Sequence, residues 1–374
     1  MGFGEFLGNE RVVSALRGML RRDRVPSALL LTGPRGIGKY TLARMFAQAA
    51  NCQRRKDDFC GECNSCRQIE PLANLAPLIQ AGLVERGESP DAAAVERAPL
   101  VLQTHPDVWV LVPDPVRLRS PVARPMIRVG QLRAVARAAY FKPQGRRRVF
   151  ILNGADTMRP SDADLFLKIL EEPPESATLI LIALMPDSLL PTVRSRCLQF
   201  HFAPVETEQV ELFLAKQGAG HKPYERKLAA QLSGGSPGAA LSLDVEERTR
   251  LRKSVLRLLE RAVDNQNWAD IFAATAQLAK QEQESFENIL ELIYSLLTDL
   301  LESSQGPTSI LPRNPDLRRE IESLGQKIDE EWIRQATRGL DQLEGRLRRN
   351  IGRQLGLDAL MASLTVTEHR AHPR

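Results

Sequence analysis

Residues 33–41 carry the clearest chemistry in the chain. Gly33-Pro34-Arg35-Gly36-Ile37-Gly38-Lys39 follows the apolar run Ala28-Leu29-Leu30-Leu31 and opens a helical pattern. That is the setting of a phosphate-binding loop. Backbone N–H groups at a helix N-terminus face phosphate oxygens, and the lysine reaches the β and γ positions. Gly33, Gly36, Gly38, Lys39 and Thr41 are therefore the candidate nucleotide-binding residues, with ATP or ADP as the ligand. One position departs from the pattern. A small hydroxyl should follow the lysine to ligate Mg2+, but Tyr40 stands there and Thr41 comes one step late. A phenol is too long for that role, and one residue's shift turns a helical side chain by about 100°. The loop predicts static phosphate binding without a well-placed metal.

A second constellation follows within residues 52–66. Cys52, Cys60, Cys63 and Cys66 have the spacing C-x7-C-x2-C-x2-C, with Gly61 and Asn64 permitting tight turns. Four thiolates so arranged suit tetrahedral Zn2+ in a closed, structural site. A disulfide framework belongs to oxidising compartments, and redox chemistry usually employs a single C-x-x-C. The basic neighbours Arg54, Arg55, Lys56 and Arg67 fit either nucleic-acid contact or a solvated surface.

These groups need a scaffold, and the chain is long enough to supply one. At 374 residues, 43% apolar and 26% charged, it exceeds what one core supports, so two or three domains are expected. Aromatics amount to 5%, too few for base stacking to dominate a nucleic-acid contact. A net charge of +5 permits a basic surface without requiring one, because 51 basic residues are interspersed with 46 acidic ones. No apolar run approaches the roughly 20 residues needed to cross a bilayer, and no secretory signal opens the chain, so a cytoplasmic protein without membrane partners is expected.

Short apolar runs bounded by turn residues read as buried parallel strands: 28–31, 108–112, 149–152, 179–184 and 198–202. Helical patterns such as Tyr40 to Ala50 and Asp162 to Leu170 lie between them. The alternation predicts a doubly wound α/β sheet of about five strands. Residues 71–102 read as an Ala-, Leu- and Glu-rich insertion, helical in part, and 113–125 as a loop rich in proline and arginine. Strand signals end at Pro204. A small helical unit spans 205–243, and long helical patterns (246–263, 268–301, 329–364) fill 244–374 around a proline-containing linker near 305–316.

Several landmarks together resemble the bacterial clamp-loader family of AAA+ proteins. Leu167-Lys168-Ile169-Leu170-Glu171-Glu172-Pro173-Pro174 is similar to the family's LLKxLEEPP segment, and Leu190 to Cys197 to its LLPTIRSRC segment. The four cysteines resemble its zinc module, the stretch Ser233 to Leu241 its lid junction, and Asn350 to Asp358 its C-terminal collar signature. The resemblance implies a AAA+ P-loop domain over 1–204 carrying the zinc module, a helical lid over 205–243, and an all-α collar over 244–374. It also implies a place in a hetero-oligomeric ring with gamma/tau ATPase and delta subunits, acting through that complex on a sliding clamp and primed DNA.

The resemblance further implies which parts of a hydrolytic site to seek. A hydrolysing member needs an Asp-Glu pair after the strand at 149–152 to hold Mg2+ and polarise water. Here Asn153-Gly154 follows, while Asp156, Asp162 and Asp164 read as turn and capping groups. Ala183-Leu184-Met185 stands where ATPases carry a polar sensor, and Gly238 where they carry a lid arginine. With Tyr40, these departures predict a chain that does not turn over ATP. Arg196, in the Ser-Arg-Cys motif, is then the candidate catalytic residue, reaching a neighbour's ATP as a trans-acting finger.

Overall fold

Six strands form one sheet: β1 (Ala28–Thr32), β2 (Val101–His105), β3 (Val108–Leu111), β4 (Arg148–Asn153), β5 (Ala177–Ala183) and β6 (Leu198–His201). They are seen in a computed structural model that describes residues 2–87, 91–116, 125–218, 222–264, 267–280, 286–304, 313–347 and 352–365, side chains excepted at 163–165, 287, 346 and 347. Much of the 113–125 loop, most of the 305–316 linker, the Asp164 side chain and residues 350–351 of the collar-like motif lie outside the described residues.

The order across the sheet is β2-β3-β4-β5-β1-β6. From β3 to β6 all neighbours are parallel, and β2 runs antiparallel to β3. Every residue of β1 and β5 is buried, which explains their unalternating apolar runs: helices cover both faces of a parallel sheet. The edge strand β2 is additional to the five expected. It begins at Val101, inside the stretch read as an insertion, and its half-buried alternation is too short to stand out from the helices before it. Those helices, Leu75–Arg86 and Ala92–Arg97, fit the partly helical reading of that stretch.

The helix Lys39–Asn51 follows β1, Val129–Ala139 precedes β4, and Pro160–Glu171 links β4 to β5. The apolar faces of the latter two close one core against the sheet, in which Leu30, Leu132, Val135, Phe150, Phe166 and Leu181 are fully buried. Burying each such side chain is worth about 1.5–3 kcal/mol relative to leaving it in water.

The chain divides into two compact units, one of residues 1–220 and 235–241, the other of 221–234 and 242–374. In the second unit the helices Val245–Val263, Trp268–Ala279, Phe286–Ser304, Arg318–Gly325, Glu330–Leu347 and Arg353–Thr365 pack around Trp332, Ile293, Leu296 and Leu340. Two patterns that read as single long helices are each two helices here. Arg252, buried in this unit, is held bidentately by Asp316 at 2.7 and 2.8 Å, as a desolvated guanidinium requires.

Candidate nucleotide and metal sites

The glycine loop leaves the carboxyl end of β1, where ligands sit in parallel sheets. Gly33, Gly36 and Gly38 all have positive φ (141°, 75° and 101°), backbone that other residues resist. Lys39 is folded onto its own loop, its ammonium donating to the carbonyls of Gly33 (2.5 Å) and Pro34 (2.7 Å). Burial lowers its pKa to about 8, against the opposing pull of the Asp156 carboxylate. Thr41 is exposed. The segment at the start of the helix Pro237–Ser242 abuts the loop: Gly238 N–H donates to Gly36 O at 2.9 Å. A Cβ on Gly238 would lie 2.8 Å from that same oxygen, so glycine is what permits the approach.

Just past the end of β4 the backbone disfavours a side chain at residue 154. Gly154 has φ +100°, and a Cβ there would fall 2.9 Å from the Pro113 ring. Asp156 sits in the turn Ala155–Thr157, half-buried, accepting weakly from Leu184 N–H at 3.5 Å. At the end of β5, Leu184 and Met185 are exposed apolar side chains.

Tyr40 points away from the phosphate loop. Its hydroxyl donates to the Leu72 carbonyl at 2.5 Å, and burial raises its pKa. Arg44 and Gln48 continue the same helix face at four-residue spacing. Arg44 pairs with Glu70 at 2.8 Å, and Gln48 donates to Glu70 (2.9 Å) and to Cys66 O (3.3 Å). At the C-terminal end of that helix Arg146 donates to the carbonyls of Ala49, Cys52 and Arg55. The cysteine module is thus fastened to the loop's own helix and to the approach of β4.

Within that module the sulfurs of Cys52, Cys60, Cys63 and Cys66 lie within 4.8 Å of one another, and all four are free thiols. The Glu62 amide holds the Cys60 thiol below its usual range, and Cys63 N–H donates to Cys60 Sγ at 3.3 Å. Burial pushes the Cys66 thiol up. Four convergent sulfurs fit a soft tetrahedral metal, whose Zn–S bonds of about 2.3 Å the cluster meets with small inward movements. The module could hold a metal ion.

Arg196 lies before the amino end of β6. Its Nη1 donates to Thr192 O at 2.9 Å and its Nη2 to Glu171 Oε1 at 2.7 Å. The register pairs Leu29 with Leu198 and Thr32 with His201, so Arg196 and the phosphate loop stand at opposite ends of the sheet. That paired span alone is about 10 Å long at the usual rise per residue. Arg196 therefore lies at the end of the sheet remote from the phosphate loop of its own chain. Its neighbour Cys197 is buried, the thiol raised to about 12 by desolvation.

A family model described as DNA polymerase III, delta subunit, matches residues 8–206, and a second, described as the C terminal part of that subunit, matches residues 246–365. The chain belongs to the DNA polymerase III delta subunit family. Among relatives in this family's company, the DNA polymerase III subunit delta' of Pseudomonas aeruginosa is 33% identical over 244 residues, 63% of this chain and 62% of that protein. The DNA polymerase III subunit tau of Escherichia coli is 28% identical over 246 residues, 64% of this chain and 32% of its own length. The chain thus spans less than two thirds of either relative. A solved gamma subunit-related protein of Thermotoga maritima is 17% identical, with a TM-score of 0.37 covering 94% of this chain and 98% of that one.

Sequence reading of this family member missed three things. The Asp156 carboxylate, read as a turn group, acts electrostatically on Lys39. Arg146 clamps the cysteine module, which no pattern around residue 146 announces. Glu171 holds Arg196, a pairing across 25 positions that sequence spacing does not encode.

Proposed function

We propose that this chain is a delta-prime-like subunit of the bacterial DNA polymerase III clamp loader, which helps load the sliding clamp onto primed DNA. In this reading it does not hydrolyse ATP. Its phosphate loop (Gly33, Gly36, Gly38, Lys39, Thr41) holds ATP or ADP statically, and Arg196 enters the ATP site of a neighbouring gamma/tau subunit. The carrying observation is the placement of Arg196 at the end of the sheet opposite its own phosphate loop, which leaves another chain's nucleotide as its target. An arginine so placed neutralises charge on the γ-phosphate and is worth roughly 10³–10⁵ in rate in other NTPases.

Gly154 supports the non-hydrolytic half of the reading, since its positive φ and the Pro113 ring disfavour any side chain where the second acid of an Asp-Glu pair would stand. The four cysteines would hold Zn2+, which supplies a structural crosslink when bound; the residues around it fix the module through Tyr40, Arg44, Gln48 and Arg146. Gamma/tau and delta subunits are the proposed ring partners, with the helices of 244–374 as the collar.

A second reading is an ATP-hydrolysing motor akin to the tau relatives, favoured by the intact Lys39. Two measurements separate them. The isolated chain should show no ATPase that depends on Lys39. In a complex reconstituted with gamma/tau and delta subunits, clamp and primed DNA, Arg196→Ala should slow clamp-dependent ATPase; unchanged turnover would refute the finger.

A further inference from the structure

Two groups, not one, fix the Arg196 guanidinium. Thr192 O takes Nη1 from within the same short turn, and the Glu171 carboxylate takes Nη2 from the end of the helix Pro160–Glu171. We propose that Glu171 is the positioning residue for Arg196: it aims the guanidinium off the subunit edge before any neighbour's phosphate arrives. This rests on the trans-arginine reading above.

The geometry suits aiming better than stabilising. Arg196 is 35% exposed and Glu171 50% exposed, and an ion pair in that much water contributes little to folding. What two fixed contacts do accomplish is orientation. A guanidinium has five N–H donors, and two of them are engaged here, one on each terminal nitrogen. The other three, including Nε–H, remain for a phosphate oxygen. A long, flexible side chain held in advance does not lose its rotamer freedom at the moment of docking, so the transition state it serves is reached more often. Adjacent charges do not duplicate the function. Arg194 is taken by Asp187, and Glu172 forms no ion pair with the described residues. The sequence places Glu171 and Glu172 side by side, but only the first meets the arginine.

The inference gives Glu171 a signature that a structural residue would lack. Steady-state ATPase is measured in the reconstituted complex with clamp and primed DNA, comparing wild type with Glu171→Ala, Glu171→Gln, Glu172→Ala, Arg196→Ala and the Glu171→Ala/Arg196→Ala double variant. Assembly and thermal midpoint are checked for each. Glu171→Ala should lower kcat about tenfold, the lower end of what a lost orienting partner costs elsewhere. KM for ATP and the thermal midpoint should stay near wild type. Glu171→Gln keeps an acceptor oxygen at the same reach and should recover most of the rate, and Glu172→Ala should be silent. In the Arg196→Ala background, Glu171→Ala should have no further effect. Wild-type kcat in Glu171→Ala alongside a slow Arg196→Ala overturns the positioning role alone, as does an equal loss from Glu171→Ala in both backgrounds. Wild-type kcat in Arg196→Ala overturns the trans-arginine reading and this inference with it.

Discussion

The Tyr40 hydroxyl donates to the Leu72 carbonyl at 2.5 Å, tying the first turn of the phosphate-loop helix to the segment behind the cysteine cluster. The position that would place a metal-binding hydroxyl in a hydrolysing loop has another occupation here. It is the first member of a stripe, Tyr40, Arg44 and Gln48, that fastens the cysteine module. Tyr40→Phe keeps the ring and removes the donor, leaving a carbonyl at a buried residue unpaired, which costs about 1–3 kcal/mol. A thermal midpoint a few degrees below wild type is the expected result by calorimetry. Tyr40→Ser should fall further through the lost packing, and neither variant should acquire ATPase. A midpoint for Tyr40→Phe equal to wild type would show that the bond contributes nothing.

The same fastening would make a metal held by the four cysteines a matter of stability for the whole neighbourhood. Purified under reducing conditions without chelator, the protein should carry about one equivalent of zinc, and Cys63→Ser should carry far less. Stripping the metal should lower the thermal midpoint and speed hydrogen exchange in the helix Lys39–Asn51 as well as in residues 52–73, because the two share Tyr40, Arg44 and Gln48. Exchange that rises only inside the module would mean the stripe does not transmit the loss.

Lys39 gives a pH test. Its pKa is lowered to about 8 by burial, against 10.5 in an unfolded chain. Between those values the unfolded state binds the proton and the folded state has released it, so this group's contribution to stability rises with pH through that window. Phosphate binding follows the opposite course, since only the ammonium attracts the ligand. Fluorescent ADP should bind several-fold more weakly at pH 9 than at pH 7, and Lys39→Ala should remove that dependence. An affinity flat across the range with Lys39 intact would contradict a role for its charge.

Much of this arrangement is legible in the sequence because it is local. Gly33 to Lys39 and Cys52 to Cys66 are contiguous motifs, and the runs at β1, β4 and β5 are unbroken because both sheet faces are covered. What escaped is long-range. Leu72 lies 32 positions from Tyr40, Glu171 lies 25 from Arg196, and Pro113 meets Gly154 across the sheet's end. Edge strand β2 escaped for a different reason: with one partner and a bulge between Gln103 and His105, its pattern carries little of the burial that marks a strand.

The obstruction at Gly154 bears directly on whether hydrolysis can be restored. Asn153→Asp is sterically mild, but Gly154→Glu must adopt φ near +100° and displace the Pro113 ring. A left-handed side-chain-bearing residue costs about 1–2 kcal/mol before any clash is counted. The double variant should therefore be less stable than wild type and remain without ATPase as an isolated chain. Measurable, Lys39-dependent turnover in it would mean that the missing carboxylates alone separate this chain from a motor.

Gly238 offers a case where two rules conflict in sign. It lies in the first turn of the helix Pro237–Ser242, where alanine should be preferred over glycine by up to about 1 kcal/mol. Yet a Cβ there would sit 2.8 Å from Gly36 O and 3.3 Å from Gly36 Cα, both backbone atoms that cannot swing aside. Contact wins on magnitude, because relieving it means breaking the Gly238 N–H to Gly36 O bond and lifting the segment from the loop. Gly238→Ala should lower the thermal midpoint, and Gly238→Arg should lower it further without creating a working lid arginine. Gly234→Ala is the comparison: its surroundings are open and only its φ of +57° resists the change. Should Gly238→Ala be the more stable of the two and exceed wild type, the close approach between the segment and the phosphate loop is not what holds glycine there.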